Sequence, residues 1–226
     1  MATRPVFVPQ VAARSFVREV PIEFVWVPGM AVSQKQKSIE SLHQSATRQL
    51  GVTSVLEISS KSRPPLGVQL SAFNLRLRME DGRQVPVEVA YQASKVFEHG
   101  GPFLELMSGS SRDAKGDERL RTSGRLICFR FQSEEWPLEP QTAFYDWLYL
   151  RALENNPVLA AQLMSFGVFT DIEFNPERSI NCQARSAALY VALVRAGRLQ
   201  SALSSPGSFR HILTGAGRGL AQGSLL

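Results

Sequence analysis

Val85-Pro86-Val87-Glu88-Val89-Ala90-Tyr91-Gln92-Ala93-Ser94-Lys95-Val96-Phe97 decides how this chain is read. Val89, Ala93, Val96 and Phe97 fall at i, i+4, i+7 and i+8, the spacing of a buried helix face. The pattern predicts a helix over residues 86–97, with Pro86 tolerated in its first turn. Glu88, Tyr91, Gln92 and Lys95 recur at i, i+3, i+4 and i+7 on another face. That stripe sets a carboxylate, a phenol, an amide and an amine in one line. Glu88 and Lys95 would stand two turns apart, about 10 Å by helix rise. They are too far apart for a simple i,i+4 surface pair, and something between them could be gripped from both ends. A solvated helix face with a partly packed Tyr91 fits the same spacing.

Outward from this segment, apolar runs at 75–79 and 85–87 flank Asp81-Gly82, a hairpin signal. Residues 15–27 and 125–131 alternate as strands, and 55–58 and 168–174 read as further strands. Helices are expected from Ser33 to Leu50, with Ile39, Leu42 and Ala46 as the apolar stripe, and over 140–154, 158–166 and 182–196. Residues 63–67 read as a loop, and the polar stretch 108–124 as a surface loop or short helix. Beyond Ser201 the chain is rich in Ser and Gly and reads as loosely ordered, although His211–Leu213 could dock. The sum is an α+β fold: one domain, rich in helix, with a small sheet.

The chain has 226 residues, 44% hydrophobic and 20% charged, which excludes collagen-like, disulfide-scaffold and wholly disordered classes. No apolar run approaches the roughly 20 residues of a membrane helix, and the first residues carry no apolar signal-peptide core. Two cysteines, Cys128 and Cys182, suit reduced thiols in a cytoplasmic protein. His43, His99 and His211 are scattered and give no zinc spacing, and no P-loop, HExxH or GxSxG occurs, so neither metal nor cofactor is expected. Residues 174–226 hold six arginines against one acid, which accounts for the whole net charge of +5. An arginine-only basic end suits phosphate, and equally a solubilising surface. The aromatic run Phe144, Tyr145, Trp147, Tyr149 suits base stacking or plain core. Asp171, Glu173, Asn175, Asn181 and Gln183 crowd polar groups around a strand end, as sites, caps and turns all do.

Two segments then resemble the NADAR family. Leu70-Ser71-Ala72-Phe73-Asn74-Leu75 is similar to its Leu-Ser-Asn-Phe motif, with Ala72 where the family has asparagine. Val85 to Lys95 resembles its helix with glutamate and lysine separated by six residues. Trp136 resembles a later family tryptophan, and Glu173 the glutamate of a C-terminal segment whose Trp-Gly pair is absent here. The chain looks like the subgroup of antitoxins paired with DarT-type DNA ADP-ribosyltransferase toxins. The resemblance implies a single NADAR-like domain: a catalytic core over 55–200, an N-terminal strand and helix elaboration over 1–54 packed on it, and a basic tail over 201–226.

By the same resemblance, the activity would be cleavage of an N-glycosidic bond at a ribose, removing ADP-ribose from guanine in DNA. Glu88 and Lys95 would be catalytic. Ser71, Phe73, Asn74, Tyr91, Gln92, Trp136, Glu173 and Asn181 would bind substrate. The partners would be ADP-ribosylated DNA, single-stranded, and the cognate DarT-type toxin. The C-terminal arginines, with Lys35 or Lys37, would hold pyrophosphate or the DNA backbone. Two alternatives stay open: an N-glycosidase acting on a small phosphorylated riboside, and a non-catalytic antitoxin that binds its toxin.

Overall fold

Alternating apolar residues at the N-terminus build a long hairpin from β1 (Ala2–Pro9) and β2 (Val17–Phe24), in register from Ala2↔Phe24 to Pro9↔Val17. The computed structural model describes residues 1–11, 15–177 and 179–215. β1 meets β9 (Val168–Thr170) antiparallel at Phe7↔Phe169, and β9 runs parallel to β3 (Val55–Glu57). The sheet order is therefore β2-β1-β9-β3. The strand expected over 15–27 is one arm of this hairpin. The other arm is disguised by Pro5 and Pro9, because proline within a run argues against a strand. Pro5 instead faces Pro21 in the β1–β2 ladder.

One face of the sheet is covered by α1 (Val32–Leu50), which buries the expected stripe Ile39, Leu42 and Ala46 against Val6, Ile22, Phe24 and Val168. The helix stops at Gly51, whose φ of 65° is the left-handed cap that glycine adopts freely. The larger core lies on the other face. Its centre is α6 (Ala143–Glu154), buried around most of its circumference, packed on α8 (Gln183–Arg195). A helix apolar all round belongs inside, and Ala184, Ala187 and Ala188 let the two backbones approach closely. Asp146 ties the pair: its buried carboxylate accepts from Arg185 at 2.8 Å, Ser186 Oγ at 2.6 Å and Thr142 Oγ1 at 2.7 Å.

The hairpin around Asp81-Gly82 forms as β4 (Arg76–Arg78) and β5 (Gln84–Pro86), with Gly82 at φ 83°. The next element departs from expectation. α3 is short, Val87–Ala93, and the chain then enters β6 (Lys95–Phe97). Ser94 Oγ donates to the Ala90 carbonyl, and Ser94 O accepts from Arg130 N, which turns the chain toward a sheet. β6 pairs with β7 (Leu126–Phe131), which pairs with β8 (Glu134–Trp136). Val96 and Phe97 suit a strand as well as a helix face, and the waiting edge of β7 decides.

Between these elements lie α2 (Pro65–Gln69), where a loop was expected, a 3₁₀ turn over Leu104–Ser108, α4 (Ser111–Gly116), α5 (Arg119–Thr122) and α7 (Pro157–Leu163). The C-terminal segment is more ordered than its composition suggests. α9 (Leu199–Leu203) and α10 (Pro206–Gly215) pack on the core through Leu203, Phe209 and Ile212, so residues 201–215 are not loose. Arg218 and the rest of the chain end lie outside the described residues. Among the described residues no helix is long and apolar enough to cross a membrane.

Candidate active site

Most of one cavity of about 510 Å³ is supplied by the 71–75 loop, α3 with the start of β6, and the stretch from β9 to α8, and Ser59, Ser60, Lys115 and Tyr145 complete its lining. The loop is pinned from every side. Ala72 N donates to Gln183 Oε1 of α8 at 2.7 Å, Ala72 O accepts from Glu88 N at 2.9 Å, and Phe73 O accepts from Ser111 Oγ of α4 at 3.1 Å. Glu88 thereby stands in the first turn of α3 with its carboxylate turned inward, only 6% exposed.

Glu88 Oε1 accepts from Gln92 Nε2 at 2.9 Å and lies 4.0 Å from Lys115 Nζ, a cation on α4. Lys95 Nζ sits 4.9 Å from the centroid of the Tyr91 ring. Burial pushes the Lys95 amine below its ordinary value, opposed by Glu88 and assisted by the Lys115 charge. The two groups do not share a helix face, as the sequence suggested. Lys95 has left the helix, and the turn at Ser94 delivers it to the same cavity from the strand.

Tyr91 OH accepts from Asn181 Nδ2 at 2.7 Å, and burial holds its phenol up at about 12. Tyr91 packs edge-on against Tyr145, whose phenol burial raises still further. Among the described residues, two buried oxygens lining the cavity, Gln92 Oε1 and Asn181 Oδ1, have no protein hydrogen-bond partner. Buried acceptors are rarely left unpaired, and acceptors at this place suit hydroxyl donors of a bound sugar.

The opposite wall is acidic. Asp171 Oδ1 accepts from Glu173 N at 3.0 Å. Burial raises the Asp171 carboxyl far above the carboxylate range, helped by Glu57 behind it, and Glu57 is raised in turn by burial. Glu57 accepts from Thr170 Oγ1 at 2.6 Å and from Ile172 N at 2.9 Å. Thr170 spends its one proton on Glu57, so His43 Nε2, 2.8 Å from Thr170 Oγ1, must be the donor of that contact. Burial holds His43 down at about 4, consistent with that neutral tautomer. Glu173 pairs with Lys35 at 3.2 Å.

Of the expected site residues, Ser71, Phe73, Glu88, Tyr91, Gln92, Lys95, Glu173 and Asn181 all line the cavity. Asn74 does not; its amide donates to Val68 O and Ser71 Oγ, and it faces the neighbouring cavity. Trp136 is corrected more sharply. It is 1% exposed and packs between Phe144, Trp147 and Arg210, in the core rather than against a ligand. The C-terminal arginines are likewise spent internally: Arg185 on Asp146, Arg195 on the carbonyls of Met164 and Phe166, Arg198 on the Phe16 ring. Arg178 lies outside the described residues.

Lys115, Asp171, Tyr145 and Gln183 were not among the expected site residues. A signal for Lys115 existed in Ser110-x-x-Asp113, a capping box that starts α4 inside the stretch read as surface. Asp171 and Gln183 stood out only as part of a polar crowd, and Tyr145 only as one of an aromatic run.

No curated protein matches the chain. A family model described as DarT1-associated NADAR antitoxin matches residues 2–219, from β1 through α10. That span leaves no described element of the fold outside the match, and the chain belongs to the DarT1-associated NADAR antitoxin family.

Proposed function

We propose that this antitoxin acts as a hydrolase that removes ADP-ribose from guanine amino groups in single-stranded DNA. The observation that carries the reading is a nearly buried carboxylate, Glu88, sharing a cavity with a desolvated lysine, Lys95. Cleaving the bond between ribose C1′ and the guanine nitrogen needs a proton on the departing nitrogen and a nucleophile at C1′. Glu88 is the proton carrier: it protonates the nitrogen as the bond breaks, and its carboxylate then takes a proton from the attacking water. The products are unmodified guanine and free ADP-ribose.

Lys95 supplies the nucleophile in a covalent route. With the ribose ring opened, the neutral amine adds to C1′, the guanine amine leaves, and an imine joins Lys95 to the sugar. Water then releases ADP-ribose and restores the amine. Burial favours the neutral amine this step needs. The amide oxygens of Gln92 and Asn181 accept from ribose hydroxyls, and the Phe73 ring stacks on a base.

The test is incubation of the protein with a guanine-ADP-ribosylated oligonucleotide, followed by mass. Loss of one ADP-ribose by the wild type, and none by Glu88→Gln, is expected. An unchanged oligonucleotide with the wild type would overturn the hydrolase. Borohydride added during turnover should leave a stable ADP-ribosyl adduct on the wild type and none on Lys95→Ala.

A further inference from the structure

Beyond Phe73 lies a second cavity, of about 690 Å³, that shares Ser60 and Phe73 with the catalytic one. The two differ in charge. The first mixes acids and bases: Glu88, Asp171 and Glu173 with Lys95 and Lys115. Among the described residues, the second is lined by Lys61, Arg76 and Arg112 and by no acidic residue. Among the described residues none of these three cations joins an ion pair. The Arg76 guanidinium donates only to the Gln84 carbonyl, at 3.2 Å. Cations gathered in a cavity without a counter-charge are a recognition surface for an anion that arrives with the ligand.

The ridge between the cavities is built firmly. Phe73 is 37% exposed, yet its carbonyl is held by Ser111 and its ring carries Lys115 Nζ at 5.2 Å from the centroid. α4 spans the ridge, with Arg112 facing the second cavity and Lys115 the first. An exposed aromatic beside a row of free cations is the arrangement that holds one unstacked base and the phosphates next to it. Arg76 and Arg112 are solvent-exposed, which suits a backbone running across the surface rather than a group enclosed with the reacting sugar.

We propose that this cavity is the phosphate track for the DNA strand flanking the modified guanine, with Lys61, Arg76 and Arg112 on successive phosphodiesters. The proposal rests on the hydrolase reading for the identity of the strand. Phosphate oxygens are also present in the pyrophosphate of ADP-ribose, and the test separates the two sources.

The first arm is anisotropy of a short, unmodified, fluorescent single-stranded oligonucleotide titrated with the full chain at several salt concentrations. Each phosphate contact to a single strand contributes about 0.7 to the salt slope. The triple variant K61A/R76A/R112A should therefore flatten the slope by about 2 and weaken binding about tenfold or more at low salt. Arg76→Lys with Arg112→Lys, which keeps the charge, should restore most of the slope. An unchanged slope in the alanine variant would overturn the track.

The second arm compares turnover of the ADP-ribosylated oligonucleotide with that of ADP-ribosyl-deoxyguanosine. The oligonucleotide's advantage in kcat/KM should collapse about tenfold in the alanine variant. Equal losses on both substrates would assign the cations to pyrophosphate and overturn the proposal. Should the wild type turn over neither substrate, the hydrolase reading falls while the first arm still decides the track.

Discussion

The two walls of the candidate active-site cavity differ in charge and were legible in the sequence to opposite degrees. The α3–β6 wall presents Glu88 with Lys95, and Lys115 joins them from α4. The β9–α8 wall presents Asp171 and Glu173, with Glu57 behind. Burial acts on both walls in one direction, toward the uncharged form: it lowers the Lys95 amine and raises the Asp171 carboxyl. The consequences differ. An amine made neutral is a nucleophile. A carboxyl made neutral is a hydrogen-bond donor with little pull on a proton. In the proposed reaction, bond breaking falls to the first wall and substrate holding to the second.

Glu88→Gln tests that division hardest. The amide keeps the shape and can still meet Gln92, so the fold should persist, with thermal unfolding close to the wild type. Turnover of the ADP-ribosylated oligonucleotide should fall about 10²–10⁴-fold, the usual worth of a positioned proton carrier. A variant within threefold of wild type would move the chemistry to the acidic wall.

Lys95→Arg sharpens the role of the amine. It puts a permanent cation over Tyr91, a group that does not lose its proton to become a nucleophile. A nucleophilic Lys95 predicts at least about 100-fold loss of turnover and no borohydride adduct. Retained activity would make Lys95 a charge stabiliser. In the wild type the rate should rise with pH as the Lys95 ammonium loses its proton, with a midpoint below that of an ordinary lysine. A rate that falls over the same range would contradict the nucleophile.

How much of this was readable follows from where each side chain's partners lie. Glu88, Tyr91 and Gln92 share a short local pattern, so spacing alone grouped them. Lys95 was grouped with them for the wrong reason: a helix was expected through Phe97, and the β7 edge claims residues from Lys95 onward. Its arrival at the same cavity depends on pairing with residues some thirty positions away, which periodicity does not encode. The same blindness explains Trp136. Trp136 was expected to meet substrate only through its resemblance to a family tryptophan, and Phe144, Trp147 and Arg210 close over it instead. The C-terminal arginines looked free because their acceptors, Asp146 and the carbonyls of Met164 and Phe166, are distant in sequence. The helices α1, α6 and α8 were plain, because their apolar residues recur locally. β1 was not, because its prolines carry the opposite signal.

The acidic wall makes a prediction about stability rather than rate. Asp171, pushed up to about 8, binds its proton more tightly folded than unfolded, and Glu57 is shifted the same way. These two carboxyls therefore hold more protons in the folded chain than in the unfolded one above the ordinary carboxyl range, and their contribution to stability falls as pH rises from about 4 toward 8, whereas His43, held down at about 4, acts in the opposite sense below about 6.5. Asp171→Asn keeps an acceptor for Glu173 N and removes the titration. It should raise stability at pH 8 by roughly 1–2 kcal/mol, about 2–8 °C in Tm, and have little effect at pH 5. Thermal melts at the two pH values check this, and a variant equally shifted at both would show that Asp171 is not protonated by its surroundings.

The smallest effect on chemistry belongs to Trp136, and it separates core aromatics from the ridge. Trp136→Phe shortens a fully buried side chain and removes its contact with Arg210, at a cost of about 1–2 kcal/mol in stability. Turnover of the modified oligonucleotide should stay within about twofold, because the ring lies outside the catalytic cavity. Phe73→Ala should do the reverse. The ring is 37% exposed, so stability should change little, while KM rises as a stacking partner worth about 1–3 kcal/mol is lost. If both variants lose turnover alike, the aromatic that holds the base is not the one on the ridge. If only Phe73→Ala does, exposure rather than ring size marks the residue that meets the ligand.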